Sequence, residues 1–334
     1  MIHYLLRRLA LLPPTLLILS LATFVLLRLI PGDPAQVMLG EHATAAQVAQ
    51  FRANRGLDQP LPIQYARYLA DLARGDWGRA IITNRPVLAE IRQRLPATVE
   101  LAAAAMLIAC ALGIPAGLLA ARRRHSWADR CASAVSLIGV AMPLFWLGLL
   151  LSYLFGYALG WLPPSGRLTV ESDLERITGL HLADALLTAR PAAFADALRH
   201  LALPALVLST VPLAVIIRMT RATLLEMLAQ DHVRTARAKG LPERAVLLSH
   251  GLRTAAPPIV TVVGLQWGSL LSGAILVETI FSWPGLGQLV VERVLGRDYP
   301  AVQGIVLVTA GMIFLANLAA DLLCAALDPR VRYA

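Results

Sequence analysis

The sequence predicts an all-α polytopic membrane protein with six transmembrane helices, and three observations carry that prediction. Hydrophobic residues fill 57% of its 334 positions and charged residues only 15%, against about 25% charged in soluble domains. The apolar positions gather into segments long enough to cross a bilayer, which takes ~20 helical residues. The basic residues collect between those segments, as topology determinants do; Lys239 is the only lysine and the rest of the 30 are arginine. A net charge of +9 distributed in that way predicts no nucleic-acid partner.

The first apolar segment, residues 9–30, follows Arg7 and Arg8. Its length and the lack of a small-x-small cleavage pattern mark it as a retained span rather than a signal peptide. Residues 97–121, 132–159, 200–219, 259–280 and 301–325 supply the other five spans. Pro13, Pro14, Pro115, Pro143, Pro204 and Pro212 lie within or near these spans and predict kinks, because proline removes a helical hydrogen bond. Orientation follows from arginine excess in the short connections. Residues 122–131 carry Arg122, Arg123, Arg124 and Arg130 against Asp129, and residues 220–258 carry six basic and three acidic groups. Both connections are expected on the cytoplasmic side, together with the amino terminus and with Arg330 and Arg332 of the tail. Residues 31–96 are also arginine-rich, but loops beyond ~60 residues translocate regardless of charge, so parity places them outside.

That outside region is expected to fold. Thr44 to Arg55 and Leu61 to Arg74 have helical spacing, and Thr44 with Gln47 outlines a capping box. Residues 160–199 form a second outside loop. Residues 281–300 form a third, in which Trp283-Pro-Gly-Leu-Gly287 predicts a tight re-entrant turn. The organisation is therefore an N-terminal span (1–30), an outside helical region (31–96), a five-helix core (97–325) with its cytoplasmic connection at 220–258, and a cytoplasmic tail (326–334).

Several chemistries are missing. No Gly-x-x-x-x-Gly-Lys-Ser/Thr phosphate loop, His-Glu-x-x-His, Gly-x-Ser-x-Gly or Cys-x-x-Cys motif occurs, so no catalytic residue and no metal ligand is expected. Cys110, Cys131 and Cys324 read as buried hydrophobes. Charges deep in spans would flag ion coupling; Arg28, Arg218, Glu278 and Asp321 instead lie towards span ends. In the fifth span Gly264, Gly268, Ser269, Ser272 and Gly273 place small residues at helical intervals. Gln266, Ser269 and Ser272 are candidates for lining a pathway, with helix packing an equal reading. Glu278 and Trp283 are candidates for a gate on the outer side.

The segment Asp231-His-Val-Arg-Thr-Ala-Arg-Ala-Lys-Gly-Leu241 is a basic helix-forming insert between spans. Val233, Ala236 and Gly240 recur at helical spacing, giving a face of small side chains that could enter a partner's groove, flanked by Arg234, Arg237 and Lys239. Gly240 suits the left-handed position that ends a helix, and Pro242 with Glu243 restarts one. A solvated connector is the alternative reading.

This segment, with Ile217-Arg-Met-Thr-Arg221 before it, resembles the cytoplasmic coupling loop of binding-protein-dependent ABC importer permeases of the peptide and nickel branch. The family loop reads Glu-Ala-Ala-x-x-x-Gly; here Arg234 replaces the Glu and Thr235 the first Ala, while Ala236 and Gly240 are kept. The resemblance covers nearly the whole chain, through Leu29-Ile-Pro-Gly-Asp-Pro34, Gly56-Leu-Asp-Gln-Pro60, Leu95-Pro-Ala-Thr-Val-Glu-Leu101, Gly113-Ile-Pro-Ala-Gly117, Val277-Glu-Thr-Ile-Phe-Ser-Trp-Pro-Gly-Leu-Gly287 and Arg297-Asp-Tyr-Pro300. The extended 160–199 loop is most similar to dipeptide permeases that act as the first of a pair.

The resemblance implies the type I ABC importer permease fold in a bacterial inner membrane. It also implies partners: a homologous second permease, two ATPase subunits, identical or different, a substrate-binding protein, and membrane lipid. No cofactor is expected on this chain, with ATP and Mg held by the ATPases. Asp231, Val233, Arg234, Thr235, Ala236, Arg237, Ala238, Lys239 and Gly240 would couple to them. The cargo implied is dipeptides or short peptides. Oligopeptide, glutathione, nickel-chelate or haem cargo is the alternative within the family. A secondary transporter, channel or membrane scaffold is the alternative outside it.

Overall fold

The computed structural model describes residues 2–30, 34–40, 43–169 and 174–327. Pro31, Gly32 and Asp33 of the first motif, His42, and the tail arginines Arg330 and Arg332 lie outside the described residues. In chain order the helices are α1 (Ile2–Leu29), α2 (Pro34–Leu39), α3 (Ala45–Arg55), α4 (Leu61–Ala73), α5 (Val87–Arg122), α6 (Trp127–Ala141) and α7 (Leu144–Leu151), which widens into a π turn over Ser152–Ala158. They continue with α8 (His181–Leu187), α9 (Pro191–Leu228), α10 (Asp231–Ala238) and α11 (Glu243–Ala245), which leads through a π turn at Val246–Leu252 into α12 (Arg253–Ile280). The last two are α13 (Leu286–Leu295) and α14 (Tyr299–Leu327). Among the described residues, strand pairing is limited to an isolated antiparallel bridge between Arg79 and Pro86.

Among the described residues, five continuous stretches are long and apolar enough to cross a membrane: Leu6–Leu29, Val87–Arg122, Pro191–Leu228, Glu243–Ile280 and Tyr299–Ala326. The expected third span differs from a simple crossing. It is a pair, Trp127–Ala141 and Leu144–Ala158, bent by 104°. Pro143 explains the break: its ring disfavours helical geometry at the preceding residue, and Met142 is extended at φ −79°, ψ 128°. Pro204 and Pro212, by contrast, stay inside α9, and Pro13 and Pro14 inside α1. Two expected boundaries also shift. Residues 87–96, assigned to the outside region, already belong to α5, and the span at 200–219 is the middle of a 38-residue α9.

The chain divides into two compact units. The first combines residues 1–96 with 284–312, although the sequence pattern assigns the latter to the five-helix core. Packing is the reason. Ala80, Val87 and Ile91 share a core with Leu286, Leu289, Ala301 and Ile305, and the buried Arg293 donates to Glu90 Oε2 at 3.0 Å. In this unit α3 starts with the expected capping box: Gln47 N donates to Thr44 Oγ1 at 3.3 Å while Thr44 N donates to Gln47 Oε1 at 2.9 Å. It ends at Gly56, whose φ of +64° is left-handed. The expected re-entrant turn after Trp283 is brief, because α13 follows at once and buries Leu286 and Leu289.

The second unit holds residues 97–283 and 313–334. Its centre is α9, which packs against α6, α7, α8 and α12. Two glycines set the approach of α5 to α9. A Cβ at Gly117 would stand 2.8 Å from the Ile217 carbonyl oxygen, and one at Gly113 2.9 Å from the Ile216 side chain, so only glycine lets the helices meet this closely. In α12, Gly264 faces Ala320 of α14, which accounts for that member of the small-residue series by packing. Cys324 is buried as expected, whereas Cys110 is half-buried and Cys131 exposed.

Candidate functional site

The basic segment expected to couple to a partner is built by two helix ends. α9 runs to Leu228, and a tight turn at Ala229 leads to Gln230, extended at φ −75°, ψ 153°, from which α10 starts. Asp231 sits in its first turn and Arg237 in its last, the arrangement the helix dipole favours. The helix stops where Gly240 takes φ +75° and donates to the Arg237 carbonyl at 2.9 Å. Pro242 is extended, and Ala245 N returns to its carbonyl at 2.8 Å to open α11. The unit is therefore helix, stop, helix, and each step has a local cause.

The structure corrects which face of α10 is free. The spacing of Val233, Ala236 and Gly240 had suggested a small-residue face for a partner, but Val233 is 0% and Ala236 5% exposed. Both pack on Val246 and Leu228 of this same chain. Amphipathic spacing marks a face that is buried without saying against what. The face left open carries Asp231, His232, Arg234, Thr235, Arg237, Ala238 and Lys239, with Gly240 at its end. Arg234 meets Asp231 at 3.3 Å in an exposed pair. Arg237 spans the Gly240 stop and holds Glu243 through two bonds of 3.2 and 2.8 Å, which raises the Arg237 pKa.

A second brace went unread in the sequence. Arg221, near the end of α9, donates Nε and Nη2 to Asp129 at 2.5 and 2.9 Å. Asp129, the lone acid beside four arginines in its connection, also accepts the His125 amide at 3.0 Å. It ties the 122–131 connection to the helix that feeds α10. The signal available in the sequence was a single acid in the first turn of a helix capped by Ser126.

The proposed gate residues are buried, not open to a pathway. Glu278 is 0% exposed and accepts from Thr98 Oγ1 at 2.7 Å; Trp283 is 1% exposed and its Nε1 donates to the Ala97 carbonyl at 2.9 Å. The Arg167 guanidinium lies 5.2 Å from the Trp283 ring, donates to Glu100 in a buried ion pair, and reaches the Gly179 carbonyl at 3.1 Å. Leu182 N closes the other Glu100 oxygen at 2.8 Å. Gly166 N donates to the Phe281 carbonyl at 2.9 Å. Asp184, fully buried, gathers the Thr178 amide and hydroxyl and the Gly179 amide at 2.6 to 2.9 Å. Burial, reinforced by the nearby Arg167 charge, pushes the His181 pKa down to about 4. The loop containing residues 160–169 and 174–190 thus forms a polar plug folded onto α5 at Glu100 and onto the turn after α12. Gln266 is half-buried in α12, while Ser269 and Ser272 are exposed on one face of it with Leu265 and Leu276. The structure brings the α10 residues together and the plug residues together; Ser269 and Ser272 stand on an open helix face.

Long apolar helices joined by an exposed basic elbow define a multi-pass membrane protein. Residues 113–333 match the family of binding-protein-dependent transport system inner membrane components, and residues 1–102 match the N-terminal region of such components. The chain belongs to this family and is a multi-pass protein of the bacterial inner membrane. It is 48% identical over 334 residues to the di/tripeptide transport system permease protein DppB of Pseudomonas aeruginosa, covering 100% of this chain and 99% of that one. It is 46% identical over 337 residues to the dipeptide transport system permease protein DppB of Escherichia coli, with the same coverage. The glutathione transport system permease protein GsiC of Salmonella paratyphi A is 40% identical over 333 residues, covering 100% of both.

Proposed function

We propose that the chain is the permease subunit of an ATP-driven importer of di- and tripeptides, forming the pathway with a homologous permease. In this reading two ATPase subunits, which hold ATP and Mg, bind α10. A substrate-binding protein delivers cargo on the opposite side, and both chain termini are cytoplasmic. The chain itself binds no cofactor. The observation that carries the proposal is the seating of α10. Its inner face rests on Val246 and Leu228, between the end of α9 and the start of α12, so a push on the open face is passed to two spans at once. Packed elements of this kind switch between discrete arrangements rather than deforming continuously, as alternating access requires.

Ser269 and Ser272 are the pathway candidates this geometry favours, with Gln266 beside them. Glu278 and Trp283 would act by holding the turn after α12, not by touching cargo. The cargo reading rests on the names of the full-length relatives, among which the di- and tripeptide permeases are the more similar.

The test is Ala238→Glu in the assembled transporter. It changes an exposed side chain on the open face and leaves the buried one intact. Binding-protein-stimulated ATP hydrolysis and peptide uptake should both fall at least ~10-fold, the loss of ~1.4 kcal/mol of coupling or more, while the thermal unfolding of the complex is unchanged. Wild-type hydrolysis and uptake would refute α10 as the coupling element. In the wild type, uptake of a labelled dipeptide should be competed by unlabelled di- and tripeptides; competition by glutathione alone would replace the cargo assignment.

A further inference from the structure

The first unit contains a cavity of about 420 Å³ that the transport role leaves unused, within the ~300–1,000 Å³ range of small-molecule sites. It lies where the apolar stretch of α1 ends and that of α14 begins: Phe24 and Arg28 come from the last turns of α1, and Tyr299 and Gln303 from the first turns of α14. Leu27, Tyr299 and Val302 pack together at that junction. Two apolar spans reaching their ends side by side put the cavity at the depth of lipid headgroups, where arginine snorkels and aromatic rings anchor.

Its chemistry is that of an oxyanion site. The Arg28 guanidinium, stacked 3.4 Å from the Phe24 ring centre, is held by neutral partners: Nε and Nη2 donate to Gln64 Oε1 at 3.2 and 2.8 Å, and Nη1 to the Phe24 carbonyl at 3.2 Å. Gln64 is in turn fixed by donating to the Leu57 and Gln59 carbonyls at 3.2 and 2.7 Å. The cation is thus oriented but not neutralised by any of these contacts. Gln303 is 4% exposed, and its Nε2 has no partner among the described residues; the same is true of the buried Tyr68 hydroxyl. Burial raises the Tyr68 pKa to about 12, so the hydroxyl keeps its proton at neutral pH. Buried donors without acceptors are costly unless something else satisfies them. At the rim, Arg55, Arg67 and Arg79 outnumber Asp71 and Asp76, and those two carboxylates are engaged locally, by Arg74 at 3.8 Å and by the Gly78 amide at 2.9 Å.

We propose that this cavity binds the phosphate of a phospholipid headgroup, with Arg28, Tyr68 and Gln303 donating to its oxygens and Arg67 closing the rim. Phosphate supplies several strong acceptors to the two waiting donors and a negative charge to the guanidinium. The acyl chains would leave along the exposed apolar faces of α1, on which Leu21, Val25, Leu26 and Leu29 are open.

Native mass spectrometry of the full chain, delipidated in detergent and titrated with phosphatidylglycerol, phosphatidylethanolamine or inorganic phosphate, tests this. One phospholipid per chain should be retained, and millimolar inorganic phosphate should not displace it. Tyr68→Phe combined with Gln303→Leu should weaken retention at least ~10-fold, the scale of losing hydrogen bonds to a charged group. Arg67→Gln, an exposed change that spares the fold, should weaken it ~3-fold or more. Equal retention by Arg67→Gln and a folded double variant would overturn the site. Variant-sensitive binding of inorganic phosphate without lipid retention would overturn the lipid as its occupant.

Discussion

The α10 elbow and the plug around Arg167 are both polar segments between spans of the same unit, and they handle charge in opposite ways. In α10 the Arg234 and Asp231 side chains are 76% and 94% exposed. In the plug, Arg167 and Glu100 are 8% and 7% exposed, and the hydrogen bonds around them converge from four separate stretches of chain. An exposed pair exchanges water for its partner at little net gain; a buried pair has given up its water and depends on every contact. The elbow can therefore vary its surface contacts, as the docking role proposed for it requires. The plug cannot, because its contacts to α5 at Glu100 and to the turn after α12 have no water to replace them.

Four measurements probe that contrast, the largest effect first. Arg167→Ala leaves Glu100 buried without its ion pair and should destabilise the chain by ~3–5 kcal/mol, seen as a marked fall in the thermal unfolding midpoint in detergent. A midpoint within error of wild type would show that the plug is not a buried network. Next comes acid. The His181 pKa is held near 4, below its ordinary 6.5. Between those values the unfolded chain binds a proton that the folded chain refuses, so stability should decline as pH falls from 6.5 towards 4 and level off below. A pH series of unfolding midpoints reads this directly, and His181→Gln should flatten the slope across that window. Arg237→Ala comes third. It cuts the half-exposed link to Glu243 across the Gly240 stop, at a cost of ~1 kcal/mol or less. Its mark should be weaker coupling of hydrolysis to uptake rather than unfolding. Smallest is Arg234→Ala, expected within ~0.5 kcal/mol of wild type because the pair it removes is solvated; a shift above ~2 kcal/mol would mean that the face is packed.

Much of the architecture was legible residue by residue. The Thr44 and Gln47 capping box, the left-handed Gly240, and the restart at Pro242 depend on neighbours three or four positions away. The sequence shows those neighbours directly. The bend at Pro143 was legible only as a kink, because the same residue type is absorbed at Pro204 and Pro212 inside α9. The helix over Asp231–Ala238 is legible, but its open side is not, since Val233 and Ala236 advertise burial without naming what buries them. Thr98, Glu100, Arg167 and Asp184 were invisible as a cluster: Arg167 and Glu100 are 67 positions apart, and Thr98 and Glu278 are 180 apart.

The sequence by itself determined where the long apolar segments lie, the helix caps and the family, because hydropathy and capping are properties of short windows. Tertiary structure decided which unit residues 284–312 join, which face of α10 stays open, and that Glu278 and Trp283 are buried. Those outcomes depend on which distant side chain reaches a polar group once water has been removed from around it, and packing alone selects that partner.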